Sequence, residues 1–111
     1  MKIIEHPDHN YIVLKLHGEI DASSAINLDE SIKKAFETGS LNLLVDCENL
    51  EYISSAGLGV FMSYIKGLQA ENKQMILFAL NESVFSTFEI LGLHHIISIV
   101  ATKEQALKKC L

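Results

Sequence analysis

The stretch Ile53-Ser54-Ser55-Ala56-Gly57-Leu58-Gly59-Val60 decides how the rest of the chain is read. Upstream, Leu41-Asn42-Leu43-Leu44-Val45-Asp46 has the composition of a strand ending in a polar turn. Downstream, Leu58, Phe61, Ile65 and Leu68 recur at three- and four-residue spacing, the period of a helix with one buried face. Ser54 and Ser55 therefore fall where a loop becomes a helix, beside backbone N–H groups without intrahelical partners. A serine oxygen can satisfy one of those donors, and the same helix end favours an added anion. A plain helix cap, and a phosphorylation switch at Ser55 on a binding surface, are both readings of that junction. Gly57 and Gly59 sharpen the question, because a glycine within a helix costs up to about 1 kcal/mol relative to alanine. Either the helix packs close to its own sheet there, or a partner approaches that backbone.

With 111 residues, the chain can bury one core, so residues 1–111 are expected to form a single domain. A 49% hydrophobic content argues for a globular protein rather than a disordered one. The net charge of −5, with no stripe of lysines, argues against a nucleic-acid surface. No apolar run approaches the roughly 20 residues of a membrane span, and the signal-peptide layout is missing. A cytoplasmic location with no membrane partner is expected. Cys47 and Cys110 have neither CxxC nor zinc spacing and read as free thiols. His6 and His9 lack a nearby third ligand, so they read as part of a solvated turn and no metal is expected.

Taken in order, residues 1–5 read as an edge strand and 6–10 as a turn around Pro7. Residues 11–16 read as an interior strand that completes an N-terminal β-hairpin. Gly18-Glu19-Ile20-Asp21 ends it, and Ser23-Ser24 offer caps for a helix to about Thr38, with Gly39 as its stop. Asp21 either caps that helix or touches a partner. Residues 41–46 form the next strand, followed by the central serines and a helix ending near residues 69–72. The run 74–80 is a further buried strand. Asn81 caps a helix through Leu91, with Val84, Phe88 and Leu91 inward and Gly92 as its stop. Residues 96–100 make a final strand, and Thr102 caps a last helix with Ala106 and Leu107 inward. Strands alternating with helices after a hairpin imply an α/β fold: a mixed, mainly parallel sheet of about five strands with about four helices.

In this order of elements the chain resembles STAS domains, and among them the small stand-alone bacterial anti-sigma factor antagonists. Ser54-Ser55-Ala56-Gly57-Leu58-Gly59 matches the family's Ser-Ser-Ala-Gly-Leu form. Gly18-Glu19-Ile20-Asp21 matches its Gly-Glu-Ile/Leu-Asp turn, and Phe88-Glu89-Ile90-Leu91-Gly92-Leu93 its later helix exit. The resemblance implies a STAS-like fold and phosphorylation at the serine corresponding to Ser55, with Ser54 as a rival acceptor. It implies a partner surface of Asp21, Ser54, Ser55, Ala56, Gly57, Leu58 and Gly59. The implied partners are an anti-sigma factor with serine kinase activity, bound by the unphosphorylated form, and a serine phosphatase of the PP2C type. Where the family carries Asp before the acceptor, this chain has Ser54, and Ala56 replaces the second hydroxyl residue.

An enzyme is the rival class. A nucleophilic serine calls for a Gly-x-Ser-x-Gly elbow and a histidine on a later loop. The serines here lack that pattern, His94-His95 lie in an apolar stretch, and Glu48 and Glu51 read as a solvated loop. No catalytic residue and no cofactor are expected. The alternative within the family is an interaction module that is never phosphorylated and binds a nucleotide or a transport-system partner, although no Walker-type loop is present.

Overall fold

The computed structural model describes residues 2–6, 11–39 and 42–110. Of the turn expected over residues 6–10, His6 instead closes the first strand and residues 7–10, with His9, lie outside the described ones, as does Leu41 of the expected third strand. In chain order come β1 (Lys2–His6), β2 (Tyr11–Ile20), α1 (Ala22–Glu37), β3 (Asn42–Ile53) and α2 (Ser55–Ala70). Then follow β4 (Gln74–Phe78), α3 (Glu82–Ile90), a 3-10 turn (Leu93–His95), β5 (Ser98–Val100) and α4 (Lys103–Lys108). The sheet order is β1-β2-β3-β4-β5, with β1 antiparallel to β2 and every later pair parallel. This is the mixed, mainly parallel sheet expected, and its antiparallel pair is the N-terminal one.

The near-continuous apolar runs of β3 and β4 arise because both faces of the sheet are covered. On one face α1, α2 and α3 bury Leu28, Ile32, Phe61 and Phe88 against Leu14, Leu16, Val45 and Leu77. On the other, Ala106 of α4 meets Val13, Leu44, Ile76 and Phe78. Two contacts bind α2 sideways. The Phe61 and Phe88 rings lie 6.1 Å apart across α2 and α3. The Tyr64 hydroxyl donates to Asp29 Oδ1 of α1 at 2.8 Å. Burial and that carboxylate push the Tyr64 phenol up to about 12. Cys47 is buried, Cys110 half-buried, and both are free.

β3 does not end at Asp46. It runs on to Ile53, so Glu48 and Glu51 are exposed strand residues rather than a loop. Two bulges explain the difference. Between the pairs Lys15–Asp46 and His17–Asn49, and again between Gly18–Leu50 and Glu19–Tyr52, β3 spends one residue more than β2. At the first bulge the Asp46 carboxylate accepts from the Glu48 N–H at 3.0 Å. β2 also continues, to Ile20, through Gly18 at φ +73°, a conformation that suits glycine. Among the described residues, β1 pairs β2 only as far as Lys15 and β4 pairs β3 only as far as Asp46. Residues 17–20 and 49–53 therefore project as a two-stranded parallel ribbon.

The end of α3 and two strand ends depart from expectation, and at the start of α1 the choice between the offered caps is made. Asp21, not Ser23 or Ser24, caps α1. Its Oδ1 accepts from the Ser23 and Ser24 N–H groups at 3.0 and 2.9 Å. In return Ser24 Oγ accepts from the Asp21 N–H at 2.9 Å, completing a capping box. Leu91, expected inward, is 59% exposed, because α3 stops at Ile90 and Leu91 falls in its C-terminal cap. β4 stops at Phe78 because Ala79 turns to φ +62°, and β5 starts at Ser98 because the 3-10 turn precedes it. Asn81 does cap α3: Oδ1 accepts from the Val84 N–H at 2.7 Å, while Nδ2 donates to the Leu50 carbonyl at 3.1 Å. One side chain thus pins α3 to the projecting ribbon.

The two glycines of α2 separate. A Cβ on Gly57 would lie 2.8 Å from Ile53 Cγ1 and 2.9 Å from Ile20 Cγ2, whereas one on Gly59 meets nothing within 4 Å. At Gly57 overpacking of about 1–3 kcal/mol opposes a helix-propensity gain of up to about 1 kcal/mol. Gly57→Ala is therefore expected to lose about 1 kcal/mol in urea denaturation, while Gly59→Ala gains about 0.5–1 kcal/mol. Equal shifts for the two variants would contradict the close approach at Gly57.

Candidate functional site

The serine pair sits at the C-terminal ends of β2 and β3, the edge where parallel α/β sheets meet their ligands. Ser54 is used by the fold. Its N–H donates to the Ile20 carbonyl at 2.8 Å, and its carbonyl accepts from the Leu58 N–H at 3.0 Å. Its Oγ accepts from the Gly57 N–H at 3.2 Å, the geometry of an N-cap. Ser54 is half-buried as a result. Ser55, the first residue of α2, is exposed, and its hydroxyl has no hydrogen bond among the described residues. The cap leaves the N–H groups of Ser55 and Ala56 as open donors at the helix start.

Ser55 also lines a groove of about 300 Å³ together with Tyr52, Ile53, Leu58, Thr87, Ile90 and Leu91. Three of those residues are among the most exposed large apolar side chains of the protein: Tyr52 at 51%, Ile90 at 82% and Leu91 at 59%. Sequence reasoning missed all three as site residues. Ile90 and Leu91 look like the end of a buried helical stripe, and Tyr52 looks like loop until the strand is known to continue. Leu50 and Ile53 are buried with the exposed Glu51 and Tyr52 between them, a spacing that gave no alternation to signal the strand.

The expected partner surface divides in two. Ser55, Ala56 and Gly59 are exposed, Asp21 is exposed, and Ser54 is half-buried. Gly57 and Leu58 are buried in the protein's own fold, where they position the helix, and Leu58 also lines the groove beside Ser55. Asp21 is one residue from Ile20, whose carbonyl holds Ser54. The Ser24 N–H, then the Ser23 and Ser24 hydroxyls, hold its carboxyl down at about 2. His94 packs edge-on to Phe85 at 6.1 Å and stacks on His95 at 3.9 Å. No three His, Cys, Asp or Glu among the described residues are grouped to hold a metal ion. None of the helices described is long and apolar enough to cross a membrane.

The neighbouring serines should therefore respond differently to truncation. Ser54→Ala is expected to cost about 0.5–2 kcal/mol as a lost cap, and Ser55→Ala less than about 0.5 kcal/mol; denaturant midpoints measure both. Asp21 gives a pH signature. Its carboxyl is lowered in the fold from 3.8 to about 2, so its contribution is complete above pH 3.8 and disappears as pH falls through about 2. The charge-dependent part of the melting difference between the protein and Asp21→Asn should shrink over that interval. A difference that stayed constant would dismiss the charged cap.

The model of the STAS domain family matches residues 1–106. An anti-sigma-B factor antagonist of Listeria monocytogenes is 34% identical over 96 residues, covering 86% of this chain and 84% of its own. The crystal structure of an anti-sigma factor antagonist from Mycobacterium paratuberculosis aligns with a TM-score of 0.86 and 21% identity, over 98% of this chain and 91% of that one. The Bacillus cell fate determinant SpoIIAA in its phosphorylated form aligns with a TM-score of 0.70 and 23% identity, over 97% of each chain. At those identities the two structures speak for the fold, and the family model for descent. Matched from its first strand into its last helix, the chain belongs to the STAS domain family.

Proposed function

We propose that this protein is an anti-sigma factor antagonist whose unphosphorylated form docks on an anti-sigma factor with serine kinase activity, and that phosphorylation of Ser55 ends the docking. The observation that carries this reading is an exposed serine, free of hydrogen bonds within the fold, on the rim of an apolar groove. The name of the Listeria relative supports the regulatory class, and a phosphorylated form of SpoIIAA supports a fold of this kind carrying the modification. A serine phosphatase of the PP2C type restores the docking form.

Two free energies decide how the switch works. A phosphate adds about −1.5 to −2 charge. At a helix start it is favoured by about 0.3–1 kcal/mol, or about 2 kcal/mol where partly buried. The free protein therefore keeps its fold. A partner seated over Tyr52, Ile90 and Leu91 must instead strip water from that dianion beside apolar surface, at a cost of several kcal/mol unless cations compensate. A net loss of about 3 kcal/mol lowers affinity roughly a hundredfold. Release without unfolding follows, because the interface term exceeds the helix term. Of the two serines, Ser55 is the acceptor. Moving the Ser54 oxygen onto phosphorus would remove a cap that the fold uses.

Ser55→Asp is expected to stay within about 0.5 kcal/mol of the parent in stability and to bind the anti-sigma factor roughly a hundredfold more weakly by calorimetry. Ile90→Glu should weaken binding without changing the melting temperature. Incubation with the kinase and ATP, followed by peptide mass spectrometry, should place the phosphate on Ser55. Modification of Ser54 instead, or none at all, would defeat the proposal and favour a module that is never phosphorylated.

A further inference from the structure

We propose a second binding site, on the opposite part of α2, for a small zwitterionic aromatic compound of the aromatic α-amino acid class. It is independent of the Ser55 reading. A groove of about 320 Å³ opens between the C-terminal halves of α1 and α2, lined among others by Lys33, Phe36, Glu37, Tyr64, Gly67 and Lys73. Gly67 lies twelve residues after Ser55, about 18 Å along the helix.

Gly67 is the telling residue. It stands inside a helix, where glycine is disfavoured, yet no atom lies within 4 Å of where its Cβ would be. The fold does not require glycine there, unlike at Gly57. What its absent side chain provides is an open floor to the groove. The walls are aromatic and held in place. The Phe36 and Tyr64 rings are 6.5 Å apart, Tyr64 is anchored through Asp29, and Lys73 Nζ lies 5.6 Å over the Phe36 ring. Both rings line the groove together with Gly67.

The charges select the rest of the ligand. Lys73 is already paired with Glu71 at 3.0 Å. Lys33 and Glu37, one helical turn apart on α1, form no ion pair with each other among the described residues. They offer one cation and one anion beside the aromatic walls, which suits a carboxylate and an ammonium on one ligand. The volume sits at the small end of ligand pockets, enough for one substituted ring.

The test is an amide NMR titration of the whole chain with L-phenylalanine as the probe. Saturable shifts are expected on the residues around Phe36, Tyr64 and Gly67, with a dissociation constant below about 1 mM. Hydrocinnamate, which lacks the ammonium, and phenethylamine, which lacks the carboxylate, should each bind at least about tenfold more weakly. Gly67→Leu fills the floor with a better helix former and should abolish the shifts, and Lys33→Ala should weaken them if the leucine variant fails to fold. Absence of saturable shifts, shifts centred on Ser55, or unchanged binding to Gly67→Leu would overturn the site. Binding of either truncated probe as tight as that of L-phenylalanine would overturn the zwitterion.

Discussion

The contact between the first turn of α2 and the ends of β2 and β3 is the constraint on which the site depends. A Cβ on Gly57 would press within 3 Å of the Ile53 and Ile20 side chains and force them to shift, and the Ser54 N–H is bonded to the Ile20 carbonyl. These two contacts fix both the position and the rotation of the helix. Residues two apart on a helix point about 200° apart. Pressing Gly57 into the ribbon therefore turns Ser55 and Gly59 outward, and both are exposed. The accessibility of the serine follows from a glycine buried in the protein's own fold.

Much of this was legible in the sequence, and the part that was not has one main cause. The helices could be placed because their apolar residues keep a steady period: Ala25, Leu28, Ile32 and Ala35 in α1, and Leu58, Phe61 and Leu68 in α2 are all buried. The second half of β3 could not, because its two bulges change the spacing of its core residues. Val45 and Cys47 are two apart, but Leu50 and Ile53 each follow at three. A spacing of three does not look like a strand. With the ribbon hidden, Tyr52 had no face to belong to, and the groove beside Ser55 could not be assembled. Leu91 failed for a different reason: periodicity says which face a residue takes only while the helix lasts.

On the proposed reading, stability and signalling are divided between adjacent residues. Ser54, Gly57 and Leu58 serve the fold, while Ser55 and the apolar rim of Tyr52, Ile90 and Leu91 add little to it. Apolar side chains left exposed in one patch favour association, and the protein's net charge of −5 works against self-association without occupying the patch. Glu51 and Glu89, both exposed, flank the rim residues in sequence. This arrangement lets a modification act on an interface while leaving the core alone, because no buried residue has to move.

Ser54 stands where the family resemblance has an aspartate, and the structure gives that exchange a physical meaning. Serine and aspartate cap helices about equally well, so the fold loses nothing. The electrostatics differ. A carboxylate about 5 Å from an incoming phosphate charge would repel it by about 1 kcal/mol even in water, and more near a protein surface. Ser54 is neutral, and the Asp21 carboxylate is engaged by its own capping bonds at the start of α1. A phosphate on Ser55 then meets open helix-start amides with little opposition from its own cap. Under the proposed switch the modified state is easy for the free protein to hold, so the force that ends docking comes from the partner's side, through the water the phosphate would have to give up.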